Sequence, residues 1–164
     1  MNAPTSKLQQ AIVQARAAGD PARLAAFVPY AQTMGISLLL APEGPHAGEL
    51  LGVMRFGEHL IGNPMLPALH GGALCALLES TAIFQLLWES ELSAAPRTIG
   101  LTVEYLRSGR PVDTFARGVP TRQGRRVANV RVEAWQDDRS RPIAVASAHF
   151  LVHSEADASK SEPG

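Results

Sequence analysis

Between positions 63 and 98 the chain gathers residue types that suit attack on a carbonyl carbon. His70-Gly71-Gly72 opens a run that is apolar through Leu78, and Glu79 is its first charge. A helix that starts at such a point presents unpaired N–H groups and a partial positive charge at its first turn. Two glycines there let another group come close to the backbone. Donors so placed can hold the oxygen of a carbonyl as it gains negative charge; close packing at a helix entry would use the same glycines. A carboxylate among apolar residues is costly unless paired or protonated. Apolar surroundings would raise the pKa of Glu79 and make it a better base near neutral pH. The structural alternative is a carboxylate satisfied by an arginine or by backbone N–H groups.

Gly71 and Glu79 are eight residues apart, which on one helix is roughly 12 Å along the axis. One carbon atom cannot meet both within a single chain, so a joint role requires two copies, each giving one half of the site. Thr98 is placed to hydrogen-bond an attacking water or the carboxylate, although threonine is also simply a good strand former. His70 would fix the loop or cap the helix. Asn63 would orient a water or a carbonyl oxygen, or else close a Gly-Asn-Pro turn. Arg107 and Arg110 flank Gly109, and Arg122, Arg125 and Arg126 surround Gln123-Gly124. Either cluster can meet phosphates or serve as a solvated turn. Cys75 lies four residues before Glu79 among apolar neighbours, as an inert thiol would.

These residues need a frame. Residues 6–18 read as a first helix ending at Gly19, and Asp20-Pro21 starts a second that carries Leu24, Phe27 and Val28 and ends before Pro29. Residues 1–30 thus form a helical extension. Strand-like runs cover 36–40 and 49–56, followed by a loop over 57–69 rich in glycine and proline. Residues 71–89 read as one helix, apolar on nearly every side and therefore enclosed. Four strands follow at 98–106, 113–120, 125–135 and 142–152. The third alternates Val130 and Val132 with Asn129, Arg131 and Glu133, as expected for a sheet with one wet face. The polar tail at 154–164 is expected to be disordered. The simplest solution is a single antiparallel sheet curled around the enclosed helix over residues 31–153, with exposed edges that a second copy would close.

Composition narrows the partners. Lysine plus arginine and aspartate plus glutamate number 15 each, so no global field draws in nucleic acid or an anionic membrane. The single cysteine excludes an internal disulfide and a cysteine zinc cage. Residues 1–20 lack the apolar core of a signal peptide, and the longest apolar run, 73–78, is too short to span a bilayer. A cytoplasmic location is the resulting expectation.

His70-Gly71-Gly72, six further residues, and then Glu79 with Thr81-Ala82 behind it resemble the hotdog thioesterases of the phenylacetic-acid-degradation PaaI type. The stretch 98–106 is similar to that family's central strand, and Arg122-Gln123-Gly124-Arg125 and Ile143-Ala144-Val145-Ala146 to its later turn and last strand. The resemblance covers roughly residues 30 to 153. It implies an α+β hotdog fold and hydrolysis of an acyl- or aryl-CoA thioester without metal or organic cofactor, in a homodimer or dimer of dimers. By the same resemblance Gly71 supplies the oxyanion N–H, with His70 holding its loop. Glu79 of the other subunit activates water or attacks directly, and Thr98 and Asn63 assist. Gly72, Arg107 and Arg125 are the substrate-binding candidates. The family's usual carboxylate is aspartate, and Gly100 stands where an aspartate is common. Two rivals remain: an acyl-CoA-binding protein without turnover, and a hotdog enoyl-CoA hydratase, which would need a histidine that does not follow Glu79.

Overall fold

The computed structural model describes residues 7–92 and 94–153, so the tail read at 154–164 lies outside it. Helix α1 (Lys7–Ala18) stops at Gly19, which takes the left-handed conformation, φ 61°, that glycine tolerates. Helix α2 (Ala22–Ala26) is shorter than expected, and the Oδ1 of Asp20 accepts the Ala22 N–H at 3.2 Å. Phe27, expected on the buried face with Leu24, falls beyond the helix and is 46% exposed. Pro29 ends that stretch as expected but also opens an unanticipated helix, α3 (Pro29–Thr33). A proline has no N–H to lose at a first helical position, so one residue can stop a helix and start the next.

Strands β1 (Ile36–Leu40) and β2 (Leu50–Met54) pair antiparallel. The expected loop at 57–69 instead contains a 3-10 turn at Glu58–Leu60 and a small hairpin of β3 (Ile61–Asn63) and β4 (Ala68–Leu69). Strands of three and two residues are too short to show alternation in a sequence. Helix α4 (Gly71–Glu89) follows, then β5 (Arg97–Tyr105), β6 (Thr114–Gln123), β7 (Val127–Trp135) and β8 (Ala144–Leu151). The main sheet has six strands in the order β1-β2-β6-β7-β8-β5, every pair antiparallel. It curls around α4. This is the hotdog arrangement.

The concave face is lined with small side chains: Ala116, Ala134, Ala144, Ala146 and Ala148 are all buried there. Opposite them α4 carries Leu77, Leu78, Phe84 and Leu86, each nearly inaccessible. Where the helix comes closest, the strands have no side chain at all. A Cβ on Gly52 would lie 2.1 Å from Thr81 Oγ1, and one on Gly118 would lie 3.3 Å from Gln85 Cβ. Thr81 turns its hydroxyl back onto the Leu77 carbonyl at 2.7 Å, so burial leaves it satisfied.

Helix α4 is not enclosed on every side as expected. Cys75, Glu79 and Ile83 form a half-buried stripe beside β5. The strand read as central is an edge strand in the single chain, with β8 on one side and, among the described residues, no strand on the other. Ile99, Tyr105 and Leu106 along and just past it are 60%, 53% and 49% exposed. The other edge, β1, packs against α2 and α3. Among the described residues α4 is the one helix long and apolar enough to cross a membrane, yet 61% of that stretch is buried inside the fold, as suits a core helix.

Gly52→Ala should lower stability by about 1–3 kcal/mol through overpacking against Thr81. Thermal unfolding checks it: the double variant Gly52→Ala/Thr81→Ala should lose less than the two single losses added together.

Candidate active site

The site begins with how the chain enters α4. The Leu69 N–H bonds the Gly109 carbonyl at 2.9 Å and the His70 N–H bonds the Leu60 carbonyl at 2.8 Å, fixing the approach. His70 then caps the helix with its own ring, Nδ1 accepting the Gly72 N–H at 2.8 Å. That role places the imidazole proton on Nε2. Gly62 lies flush against this histidine, for a Cβ there would meet the His70 Cα at 2.7 Å. With Gly72 committed to the cap, Gly71 is left as an N–H with no acceptor among the described residues. Its carbonyl accepts the Tyr105 hydroxyl at 2.8 Å, and a Cβ on Gly71 would sit 3.1 Å from that ring. A cleft of about 460 Å³ opens at this point, walled by Gly71, Leu69, Leu74, Tyr105, Leu106 and Arg107.

Two turns further along α4, Glu79 accepts the Thr98 hydroxyl on Oε1 at 2.6 Å. Such a bond to an ionised carboxylate is short and strong. Simple alternation along β5 would not produce it. Leu101, Val103 and Tyr105 pair with Ala148, Ala146 and Ala144, which face the helix, so Thr98 would by period two face outward. The β5–β8 register shifts between Thr98 and Gly100, leaving Ile99 as an extra residue. This bulge returns Thr98 to the helix-facing side, opposite the buried Phe150.

Cys75 stands between the two ends of the stripe. Burial pushes its thiol pKa up, and the charge of Glu79 pushes it further. The Tyr105 hydroxyl is raised as well, by burial first and then by Cys75. Each end of β5 thus holds one group on α4: Tyr105 grips Gly71, and Thr98 grips Glu79. The two remain roughly 12 Å apart along the helix.

The other predicted residues scatter. Asn63 sits at the hairpin turn, its Oδ1 accepting the Met65 and Leu66 N–H groups at 3.0 and 3.3 Å, and does not line the cleft. Arg107 lines the cleft, its Nη1 donating to the Pro142 carbonyl at 3.0 Å. It also borders a second hollow of about 220 Å³ with Arg110, Asp137, Asp138 and Arg141, in which Arg110 pairs with Asp137. Arg125 lies in the exposed β6–β7 turn. Val127 and Arg97 both pair with Leu151, so that turn is at the Thr98 end of the sheet, opposite Arg107. Sequence reasoning missed Tyr105 and Gly62. Tyr105 shares its face of β5 with Leu101 and Val103, which an alternation count would have shown; Gly62 left no such signal.

Residues 62–151 match the family described as acyl-CoA thioesterase N-terminal domain. The chain belongs to this family. Acyl-CoA thioesterases are thioester hydrolases, and the solved structures agree with the fold. A protein from Chromobacterium violaceum is 38% identical, covering 89% of this chain and 98% of its own, with a TM-score of 0.69. A phenylacetic acid degradation-related protein from Ralstonia eutropha JMP134 is 28% identical over 76% of this chain and 91% of its own, TM-score 0.64. A Bacillus halodurans protein solved with CoA shares the fold at 18% identity, over 93% and 95% of the two chains, TM-score 0.65. No curated protein matches this acyl-CoA thioesterase significantly.

Because Glu79 is part of what raises the Cys75 thiol, Glu79→Gln should move its alkylation profile to lower pH. Iodoacetamide rates measured against pH check this, and identical profiles would show that the two groups do not face one another.

Proposed function

We propose that the protein hydrolyses an acyl- or aryl-CoA thioester at a site shared between two subunits. The observation that carries this reading is the arrangement along β5, with Tyr105 and Gly71 at one end and Thr98 and Glu79 at the other, on a bare sheet edge. Two such edges paired antiparallel about Thr102 would set Leu101 of each strand against Val103 of the other and, past the bulge at Ile99, Thr98 against Tyr105. The helix-facing sides would coincide, because directly opposed residues share a face. Glu79 would then reach the cleft at Gly71 of the neighbouring copy, which no single chain achieves. The pairing would also cover exposed Ile99 and Tyr105 and remove an unpaired edge. A dimer, alone or doubled into a tetramer, follows.

In that site the thioester carbonyl oxygen accepts the Gly71 N–H, which His70 keeps free by taking Gly72 for its cap. Thr98 occupies Glu79 Oε1, leaving Oε2 without a partner among the described residues and able to take a proton from water. The water oxygen adds to the carbonyl carbon, and its proton goes to the carboxylate. The tetrahedral oxyanion collapses with cleavage of the C–S bond. The proton held by Glu79 passes to the departing sulfur, giving free acid and CoA thiol. Arg107 at the cleft mouth, with Arg110 and Arg141 beyond it, suits the phosphates of CoA. A related fold solved with CoA supports that substrate class.

Glu79→Gln should lower kcat/KM for acyl-CoA substrates by about 100- to 10,000-fold with the fold retained, as for loss of a general base. Tight acyl-CoA binding without turnover by the unaltered protein would instead mark a binding protein. Mixing Glu79→Gln with Gly71→Ala and letting subunits exchange should restore about a quarter of the original activity, since half the dimers are mixed and each has one intact site. A mixture no better than its parents would sink the shared site.

A further inference from the structure

A third cavity, about 120 Å³, lies on the opposite side of Glu79 from the cleft at Gly71. Its walls are Leu8, Leu24, Val28, Ile83, Phe84 and Leu87, and almost all of its lining is apolar. It therefore stands between α4 and the helical segment that precedes the sheet. Two lining residues connect it to the Glu79–Thr98 pair. Ser80 follows Glu79 directly, with Ile83 one turn beyond, while Ala95 lies three residues ahead of Thr98. Both walls that hold the carboxylate thus continue into this hollow.

We propose that this cavity receives the acyl group of the substrate, and that the N-terminal helices set its size limit. The inference rests on the thioesterase reading above. A carbonyl carbon held beside Glu79 sends its two substituents in opposite directions. The sulfur leads back toward the cleft mouth and its arginines, so the acyl chain leads onward past Ser80 and Ile83. An apolar cavity of roughly 150 Å³ lined by Leu, Ile and Phe takes a benzene ring. The present one is slightly smaller and open on one side. It fits a phenyl ring or a chain of about six carbons and ends against Leu8, Leu24 and Val28. Phe84 lines it, whereas Trp88 and Phe56 pack against the core elsewhere.

Binding can be read independently of turnover with non-hydrolysable S-alkyl-CoA thioethers. The measured quantity is the ratio of Kd for S-methyl-CoA to Kd for S-hexyl-CoA, in the unaltered protein, Val28→Phe and Leu8→Ala. A ratio well above one in the unaltered protein is expected, falling by about 10-fold or more in Val28→Phe, which fills the cavity. In Leu8→Ala, which lengthens it, the preference should move toward S-decyl-CoA. A ratio near one, or the same ratio in all three proteins, overturns the pocket even if acyl-CoA is hydrolysed. Chain-dependent binding that follows the variants, without hydrolysis of hexanoyl-CoA, upholds the pocket and overturns the thioesterase reading instead.

Discussion

The architecture depends on how deeply one helix sinks into one sheet. Large aliphatic and aromatic side chains on α4 meet strands whose facing positions are alanine or glycine, and at Thr81 and Gln85 they meet bare backbone. Area buried at such a contact contributes about 25 cal/mol per Å² of apolar surface. Interior packing tolerates neither a gap nor an added methyl cheaply. Depth and rotation of the helix are thereby fixed together. The stripe Gly71, Cys75, Glu79 and Ile83 must face β5, because every other direction is occupied by leucine, phenylalanine or threonine pressed into the sheet.

A rigid helix also sets a distance that side chains cannot bridge. A donor at its first turn and a carboxylate two turns on are held on one line, each by a hydroxyl from β5. In the proposed shared site the chain carries two finished half-sites rather than one loose whole. Preorganisation of this type keeps the orientation of each group outside the energetics of the reaction itself. Under that proposal, association between copies decides only whether the halves meet.

Much of this was legible in the residues. Glu79 stood out because a charge interrupting an apolar helix needs an explanation, and the glycines after His70 marked the helix entry. The period of the later strands located the sheet to within a few residues. What stayed hidden depends on pairing and turn geometry rather than residue type. The β3–β4 hairpin is too short to show a pattern, and Asn63 proved to be committed to its turn. Phe27 looked buried because the second helix looked longer than it is. Arg125 and Arg107 could not be assigned to opposite ends of the sheet before the strand order was known. The strand carrying Thr98 read as central, although in one chain it is an edge, because sequence does not record which strands are neighbours.

The bulge at Ile99 gives the site an unusual kind of dependence. Ile99 contributes no functional group and points away from the carboxylate, so many side chains would serve there equally well. Its place in the strand pairing is another matter. Were it drawn into the regular β5–β8 ladder opposite Phe150, Thr98 would turn to the outer face and part from Glu79 without altering either residue. The Thr98–Glu79 pair is thus written partly in strand pairing: position 99 tolerates replacement so long as the residue stays out of the ladder.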